Sequence, residues 1–148
     1  MNLLLDTNVL IDYLGRKEPF FPAAQKVVIA GFFGDARLWA PAQSFVDAFY
    51  VLSRYVEPAR LQTAIAKTLT VIAPVDLTGA ALERAAHLGW DDLEDCLIAL
   101  AAEKTGADYL ITRDAKGFSR SAVPALSPDA WARVMREEHG LDYGEVPL

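Results

Sequence analysis

The fold is decided by one stretch near the start of the chain, NLLLDTNVLIDYL at residues 2–14. Its three leucines, Leu3–Leu5, form an unbroken apolar run that predicts a buried strand. Polar residues 6–8 interrupt the run, and apolar residues return at positions 9, 10, 13 and 14 with the spacing of a helix. Ligands of an open parallel sheet gather beyond the carboxyl ends of its strands, so Asp6 stands where a carboxylate can do chemistry.

Predicted strands and helices continue to alternate along the rest of the chain. Further apolar runs predict strands at 37–40, 71–75 and 109–112 and a short fifth strand near 123–126. Helices are expected between them, and Ser44, Thr78 and Ser127 are the expected N-caps of three. This alternation predicts an α/β three-layer sandwich, in which helices flank a mainly parallel central sheet of about four to five strands.

Length and composition are typical of one globular domain. A chain of 148 residues with 53% hydrophobic and 23% charged residues can bury a sizeable core without disulfides. We expect a single domain over 1–148, with the informative motifs within 1–118 and a final strand, helix and tail over 119–148. Cys96 is the only cysteine, and neither a signal peptide nor an apolar run of about 20 residues is present, so we expect a cytoplasmic protein without a membrane partner.

The charge balance narrows the possible functions without deciding among them. A formal net charge of −6 argues against a protein that binds nucleic acid through bulk positive charge. It does not argue against a protein whose acidic side chains gather around a cation, because a divalent ion inverts the local electrostatics.

Four aspartates are expected on one rim of the predicted sheet. Asp6 and Asp114 follow strands, whereas Asp47 and Asp95 lie near the starts of helices. Carboxylates brought close together repel one another unless a cation lies between them. Oxygen ligands without neighbouring His or Cys suit Mg²⁺ or Mn²⁺ rather than zinc. This chemistry indicates phosphodiester hydrolysis, in which a metal orients water and offsets the charge that develops on the phosphate.

Each of these acids also has a purely structural interpretation. Asp6 can cap the helix that follows it, and Asp114 can be an ordinary turn residue. Ser44 and Asp47 resemble a capping box, in which both side chains serve only the start of a helix. The residues alone leave these alternatives open.

The acidic run before the longest predicted helix can be divided in the same way. With Asp91 as the N-cap, Glu94 falls at the third helical position, and the two form another capping-box arrangement. This leaves Asp92 and Asp95, three residues apart and therefore on one side of the helix. Capping alone does not account for four acids in five residues. The acids repel one another about as strongly as the helix dipole attracts them, so they add little stability.

Four segments together resemble the PIN-domain family, and in particular the small bacterial toxin ribonucleases of the VapC type. In chain order they are LDTNVLID at 5–12, SFVD at 44–47, DLEDCLIA at 92–99 and ITRD at 111–114. Each segment alone is a weak signal, but all four in this order are specific, and they span residues 1 to about 118. The resemblance implies parallel strands between helices and an acidic pocket that binds Mg²⁺ or Mn²⁺.

The resemblance also implies roles for individual residues. It assigns the metal-holding carboxylates to Asp6, Asp95 and Asp114, with Asp47 as the fourth catalytic and metal-binding acid. The residues with implied supporting roles are Asn8, Ser44, Asp92 and Thr112. It further implies an endoribonuclease that hydrolyses RNA with metal-activated water, a small antitoxin partner and a homodimer.

One position departs from the family pattern. The family usually has Glu on the third helix, where this chain has Asp47, whose side chain is one methylene shorter. Misplacement of a catalytic group by about an ångström can cost about a hundredfold in rate. A PIN-fold module that binds RNA or protein with weakened catalysis is therefore an alternative. A third hypothesis, a phosphoryl-accepting protein with Asp6 as the nucleophile, is disfavoured because a haloacid-dehalogenase-type phosphatase needs Asp where Asn8 stands.

Overall fold

A computed structural model describes residues 1–144 of the chain. The central sheet has five strands within these residues. The strands are β1 (Asn2–Leu5), β2 (Arg37–Pro41), β3 (Ile72–Val75), β4 (Tyr109–Ile111) and β5 (Ala125–Leu126). Their order across the sheet is β3-β2-β1-β4-β5. Each neighbouring pair is parallel, which confirms the predicted sheet.

Seven helices within the same residues flank the sheet. They are α1 (Thr7–Leu14), α2 (Phe21–Phe32), α3 (Ala42–Leu52), α4 (Pro58–Thr68), α5 (Gly79–Leu88), α6 (Leu93–Lys104) and α7 (Pro128–His139). A short 3-10 helix, Ala115–Phe118, follows β4. None of the helices in the described part of the chain is long and apolar enough to cross a membrane.

Strand β1 is the middle strand of the sheet, and its side chains are buried on both faces. Leu3 and Leu5 pack with buried residues of α1, α2, α3 and α7, whereas Leu4 packs on the other face with residues of α6. Successive side chains of a strand point to opposite faces, so three consecutive leucines serve both cores. The three-layer sandwich predicted from the sequence is confirmed.

Two predicted N-caps are confirmed, and the predicted fifth strand is shorter than expected. The hydroxyls of Thr78 and Ser127 each accept a hydrogen bond from a backbone N–H in the first turn of α5 or α7, at 3.1 and 3.0 Å. The strand predicted near 123–126 comprises only Ala125–Leu126, because Pro124 has no N–H to donate to the sheet. Residues 145–148 of the predicted tail lie outside the described residues.

Two other predicted N-caps are wrong. Pro41 ends β2 and leads directly into α3, so Ser44 lies inside the first turn of the helix instead of capping it. Asp92, not Asp91, caps α6, and its carboxylate accepts a hydrogen bond from the backbone N–H of Asp95 at 3.0 Å. The start of α3 shifts by three residues and that of α6 by one, and both shifts change which polar side chains face the candidate site.

Candidate active site

The strand order reverses at the centre of the sheet. From β1 the chain moves outward to β2 and β3 on one side, and β4 and β5 lie on the other. Such a reversal opens a crevice beyond the carboxyl ends of the two central strands, where open α/β sheets bind their ligands. Asp6 directly follows β1 and Thr112 directly follows β4, so both residues lie at this crevice.

Asp6 is held rigidly from both of its carboxylate oxygens. Its Oδ1 accepts a hydrogen bond from the backbone N–H of Thr7 at 2.6 Å, and its Oδ2 accepts one from the hydroxyl of Thr112 at 2.7 Å. Burial raises the pKa of Asp6, and the hydrogen bonds from Thr112 and Thr7 oppose that rise. Asp6 therefore caps α1 and also presents a fixed carboxylate to the crevice.

The turn after β4 is fastened to the same carboxylate. The Thr112 hydroxyl donates to Asp6 and accepts a hydrogen bond from the backbone N–H of Asp114 at 3.0 Å. The side-chain oxygen of Asn8 accepts a hydrogen bond from the backbone N–H of Arg113 at 3.3 Å. The structure thus places Asn8 and Thr112 where they orient the chain that carries Asp114.

An ion pair that the sequence interpretation missed supports this turn. The Nε of Arg113 lies 2.7 Å from Oδ2 of Asp12, which is only 1% exposed, and the guanidinium lies 4.1 Å from the centre of the Phe20 ring. Burial raises the pKa of Asp12, and Arg113 opposes that rise. The available signal was the charged residue Asp12, which stands among apolar residues one helical turn after Asn8.

Asp95 lies in the first turn of α6, opposite the turn that carries Asp114. The pKa of Asp95 is raised to about 6, first by burial and then by the nearby charges of Asp92, Asp6 and Asp114, in that order. The structure thus places Asp6 and Asp114 near enough to Asp95 for their charges to act on its carboxyl group. Asp92 contributes both its charge and the cap that holds the first turn of α6.

Asp47 lies to one side of these three aspartates. Its Oδ1 accepts a hydrogen bond from the side-chain amide of Gln43 at 3.0 Å, one turn back in α3. Its charge acts on Glu94, whose pKa is raised first by burial and next by Asp47. The structure brings Asp6, Asp95 and Asp114 together and leaves Asp47 beside Glu94.

Glu94 is the acidic residue that the capping-box interpretation set aside. Because Asp92 is the N-cap of α6, Glu94 is at the second helical position and faces the crevice. The hydroxyls of Thr7 and Ser44 hydrogen-bond to each other at 2.7 Å, and the Thr7 hydroxyl donates to Oε1 of Glu94 at 3.3 Å. The excess of acids in residues 91–95 was the sequence signal for a role beyond capping.

The donor set and its geometry fit a small divalent cation. A Cβ atom placed on Gly117 would lie 2.8 Å from Oδ2 of Asp114 and 3.1 Å from Oδ2 of Asp95, so these two oxygens converge on one point. Within residues 1–144, no three His, Cys, Asp or Glu side chains are close enough together to hold a metal ion by themselves. Mg²⁺ does not require such a group, because it is commonly held by one or two carboxylates together with water and substrate phosphates.

The chain matches one known family over most of its length. The family model described as PIN domain matches residues 2–116, which include all of the candidate site residues. The chain belongs to the PIN-domain family. No curated protein matches the sequence.

Solved structures of low sequence identity share the fold. VapBC2 of Rickettsia felis, bound to a DNA fragment from its promoter, is similar with a TM-score of 0.64 and 15% identity, over 86% of this chain and 98% of that chain. VapBC-1 of nontypeable Haemophilus influenzae is similar with a TM-score of 0.63 and 19% identity, over 87% and 99% of the two chains. FitAcB of Neisseria gonorrhoeae is similar with a TM-score of 0.59 and 16% identity, over 85% of this chain and 97% of that chain.

Proposed function

We propose that this chain is a Mg²⁺- or Mn²⁺-dependent endoribonuclease and the toxin of a toxin–antitoxin pair. One observation carries the proposal: three aspartates from three separate segments border the crevice between β1 and β4, where two of them converge beside Gly117 and the Thr112 hydroxyl links the third to the same turn. These are Asp6, Asp95 and Asp114. Bringing three carboxylates together costs free energy unless a cation offsets their repulsion, which favours a catalytic role over three separate capping roles.

The three aspartates have different proposed roles, which follow from how firmly each carboxylate is held. Asp6 is fixed by two hydrogen bonds and provides a rigid reference for the site. Asp95 and Asp114 would hold the cation between them, above Gly117. A divalent cation bound there would orient the attacking water and offset the charge that develops on the phosphate.

Glu94 supplies the longer carboxylate that Asp47 lacks. Asp47 bonds to Gln43 on its own helix, whereas Glu94 is hydrogen-bonded to the hydroxyl of Thr7, beside Ser44. We assign Glu94, with Thr7 and Ser44, to orienting water or the RNA backbone on the α3 side of the crevice. Asp47 then has a minor part, through its charge on Glu94.

A cleavage assay tests the proposal directly. Labelled single-stranded RNA and a labelled RNA hairpin are incubated with the protein in Mg²⁺, in Mn²⁺ and in EDTA. We expect cleavage only with metal, and strong loss of cleavage in Asp6→Asn and Asp95→Asn. Asp129→Asn, an exposed aspartate on α7, is the matched control for the loss of one negative charge. Equal cleavage by all four proteins, or cleavage that persists in EDTA, would overturn the proposal.

The proposed partner is a small antitoxin with a basic segment. Two of the similar structures are VapBC assemblies, and the resemblance to VapC-type toxins implies such a partner. An acidic crevice on a chain of net charge −6 would attract a basic peptide through electrostatic complementarity. We expect added arginine-rich peptide to inhibit cleavage, less so at high salt, because salt screens such attraction.

A homodimer is also part of the proposal. Tyr50 and Tyr55, on and just after α3, are 68% and 83% exposed, beside the exposed Val46 and Val51. Aromatic residues in an apolar patch are typical of protein interfaces. Light scattering should give twice the mass of the chain, and Tyr50→Ser with Tyr55→Ser should give the mass of one chain.

The alternative is a PIN-fold binding module with weakened catalysis. It is favoured by the engagement of Asp47 with Gln43 and by an apolar groove beside Asp47 and Glu94, lined in part by Leu77 and Leu97. Asp47→Glu discriminates between the two functions. A gain of cleavage of a hundredfold or more would indicate a degraded site, and a change of less than threefold would favour the enzyme as proposed.

A further inference from the structure

Gly117 lies directly against two of the site aspartates. It is the third residue of the 3-10 helix, and its backbone N–H donates a hydrogen bond to Oδ1 of Asp114 at 3.3 Å. On its Cα side, the position that a Cβ would take lies 2.8 Å from Oδ2 of Asp114 and 3.1 Å from Oδ2 of Asp95. Ordinary van der Waals contact begins at 3.4 Å, so a side chain here would displace at least one of the two oxygens.

Backbone conformation does not explain a glycine at this position. The glycines with positive φ are Gly34, Gly89, Gly106 and Gly140. Gly117 is not among them, so alanine can adopt its backbone angles without strain.

Core packing does not explain it either. A Cβ on Gly15 or Gly31 would meet buried leucine side chains, Leu52 and Leu38, so those two glycines permit close packing in the core. The three atoms nearest to a Cβ on Gly117 all belong to the carboxylates of Asp95 and Asp114. Asp95 lies in α6, whereas Asp114 precedes the 3-10 helix.

We infer that Gly117 is a positioning residue for the cation site. Its missing side chain keeps open the space in which the carboxylates of Asp95 and Asp114 converge, and its N–H fixes the orientation of Asp114. The inference rests on the proposed function, since it concerns the same carboxylates. A side chain at position 117 would separate the two oxygens or fill the space between them.

Mn²⁺ binding to the intact protein, measured by isothermal titration calorimetry, tests the inference. We expect Gly117→Ala to bind Mn²⁺ at least tenfold more weakly than the wild type. The matched control is Gly79→Ala, because Gly79 lies at the first position of α5 and a Cβ there would meet nothing within 4 Å. The control should bind Mn²⁺ as the wild type does.

Thermal unfolding without metal separates positioning from a general structural role. The displaced atoms are the ends of flexible side chains, so metal-free Gly117→Ala should unfold within a few degrees of the wild type. Mn²⁺ affinity within twofold of the wild type would overturn the inference, as would a large loss of thermal stability in the metal-free variant.

The failure of the inference can be told apart from the failure of the proposed function. If Asp95→Asn binds Mn²⁺ as tightly as the wild type, the cation site itself is wrong. If Asp95→Asn loses binding and Gly117→Ala does not, only the role of Gly117 is wrong.

Discussion

The two sides of the acidic crevice are built in different ways. On the strand side, Asp6 and Thr112 are 6% and 0% exposed and hydrogen-bond to each other, and the Asp12–Arg113 ion pair supports their turn. On the helix side, burial raises the pKa values of Glu94 and Asp95, and the charges of neighbouring acids, Asp47 for Glu94 and Asp92 for Asp95, raise them further. The carboxylates of the strand side therefore have hydrogen-bond or ion-pair partners, whereas the charged forms of Glu94 and Asp95 on the helix side are disfavoured by burial and by neighbouring acids.

This difference predicts two kinds of mutational effect. Substitutions on the strand side remove hydrogen bonds or ion pairs from a buried network, so they should lower stability or lower activity through misplacement. Neutral substitutions on the helix side remove repulsion, so they should weaken metal binding and activity while leaving the metal-free protein as stable as before, or more stable.

The largest expected effect is that of Asp6→Asn on RNA cleavage. Loss of the fixed carboxylate should remove several kcal/mol of metal-dependent stabilisation of the transition state, which corresponds to about a thousandfold in kcat/KM. Asn retains one side-chain oxygen, so the free energy of unfolding should fall by only about 1 kcal/mol. Single-turnover cleavage and urea unfolding measure the two effects. Activity within tenfold of the wild type would contradict a central role for Asp6.

Arg113→Met should give the largest loss of stability at the site. It leaves Asp12 buried without its ion-pair partner, and because Arg113 is 34% exposed and partly screened, we expect a loss of about 2 kcal/mol. Adding Asp12→Asn should restore at least half of that loss by removing the unpaired charge. Urea unfolding of the single and double variants checks this, and no recovery in the double variant would show that the ion pair is not the cause.

Glu94→Gln and Asp47→Asn compare the two acids on the α3 side. Glu94 is hydrogen-bonded to Thr7, whereas Asp47 is bonded to Gln43, so we expect about a tenfold loss of cleavage for Glu94→Gln and less than threefold for Asp47→Asn. The comparison of kcat/KM at saturating Mg²⁺ decides the order. A larger loss for Asp47→Asn would return the fourth catalytic position to α3.

The smallest expected effect is a pH-dependent gain of stability in Asp95→Asn. The raised pKa of Asp95, about 6 against an ordinary 3.8, means that the native protein holds a proton which the unfolded chain has released between these pH values. The contribution of Asp95 to the free energy of unfolding should therefore fall as the pH rises from about 4 to 6, and then level off. Metal-free Asp95→Asn lacks this fall from Asp95, so at pH 7 its unfolding temperature should exceed that of the wild type by a few degrees.

The same measurement at pH 4 is the internal control. The gain in Asp95→Asn should be much smaller there, because Asp95 is protonated in the native wild type. An equal gain at both pH values would mean that the partly buried charge of Asp95 is not its source.

The sequence predicts the strand side of the crevice well. Three leucines followed by Asp6 indicate both the central strand and the carboxylate at its end, since an apolar run and a polar stop are local signals. The resemblance to PIN domains adds Asn8 and Thr112, which the structure places at the same turn. Strand ends in a parallel sheet come to one edge by topology alone, so residue order suffices to bring these side chains together.

The helix side could not be predicted to the same depth. Two adjacent aspartates can each cap α6, and only tertiary packing selects Asp92, which frees Glu94 to face Thr7. Tertiary structure also overrides the capping preference of Ser44. The helix α3 begins directly after Pro41, at the end of β2, and has no side-chain cap. No sequence pattern shows that Gly117 lies against Asp95, since that contact joins two elements that are distant along the chain.

The central claim is that the acids of the crevice converge on one cation. Anomalous diffraction from a crystal of the wild-type protein grown with Mn²⁺ tests it most directly. We predict a single strong peak in the crevice, bound by Asp95 and Asp114 above Gly117 and linked to Asp6 directly or through water. The claim would be contradicted if a crystal at saturating Mn²⁺ showed no peak among these carboxylates, or showed Mn²⁺ only at other positions.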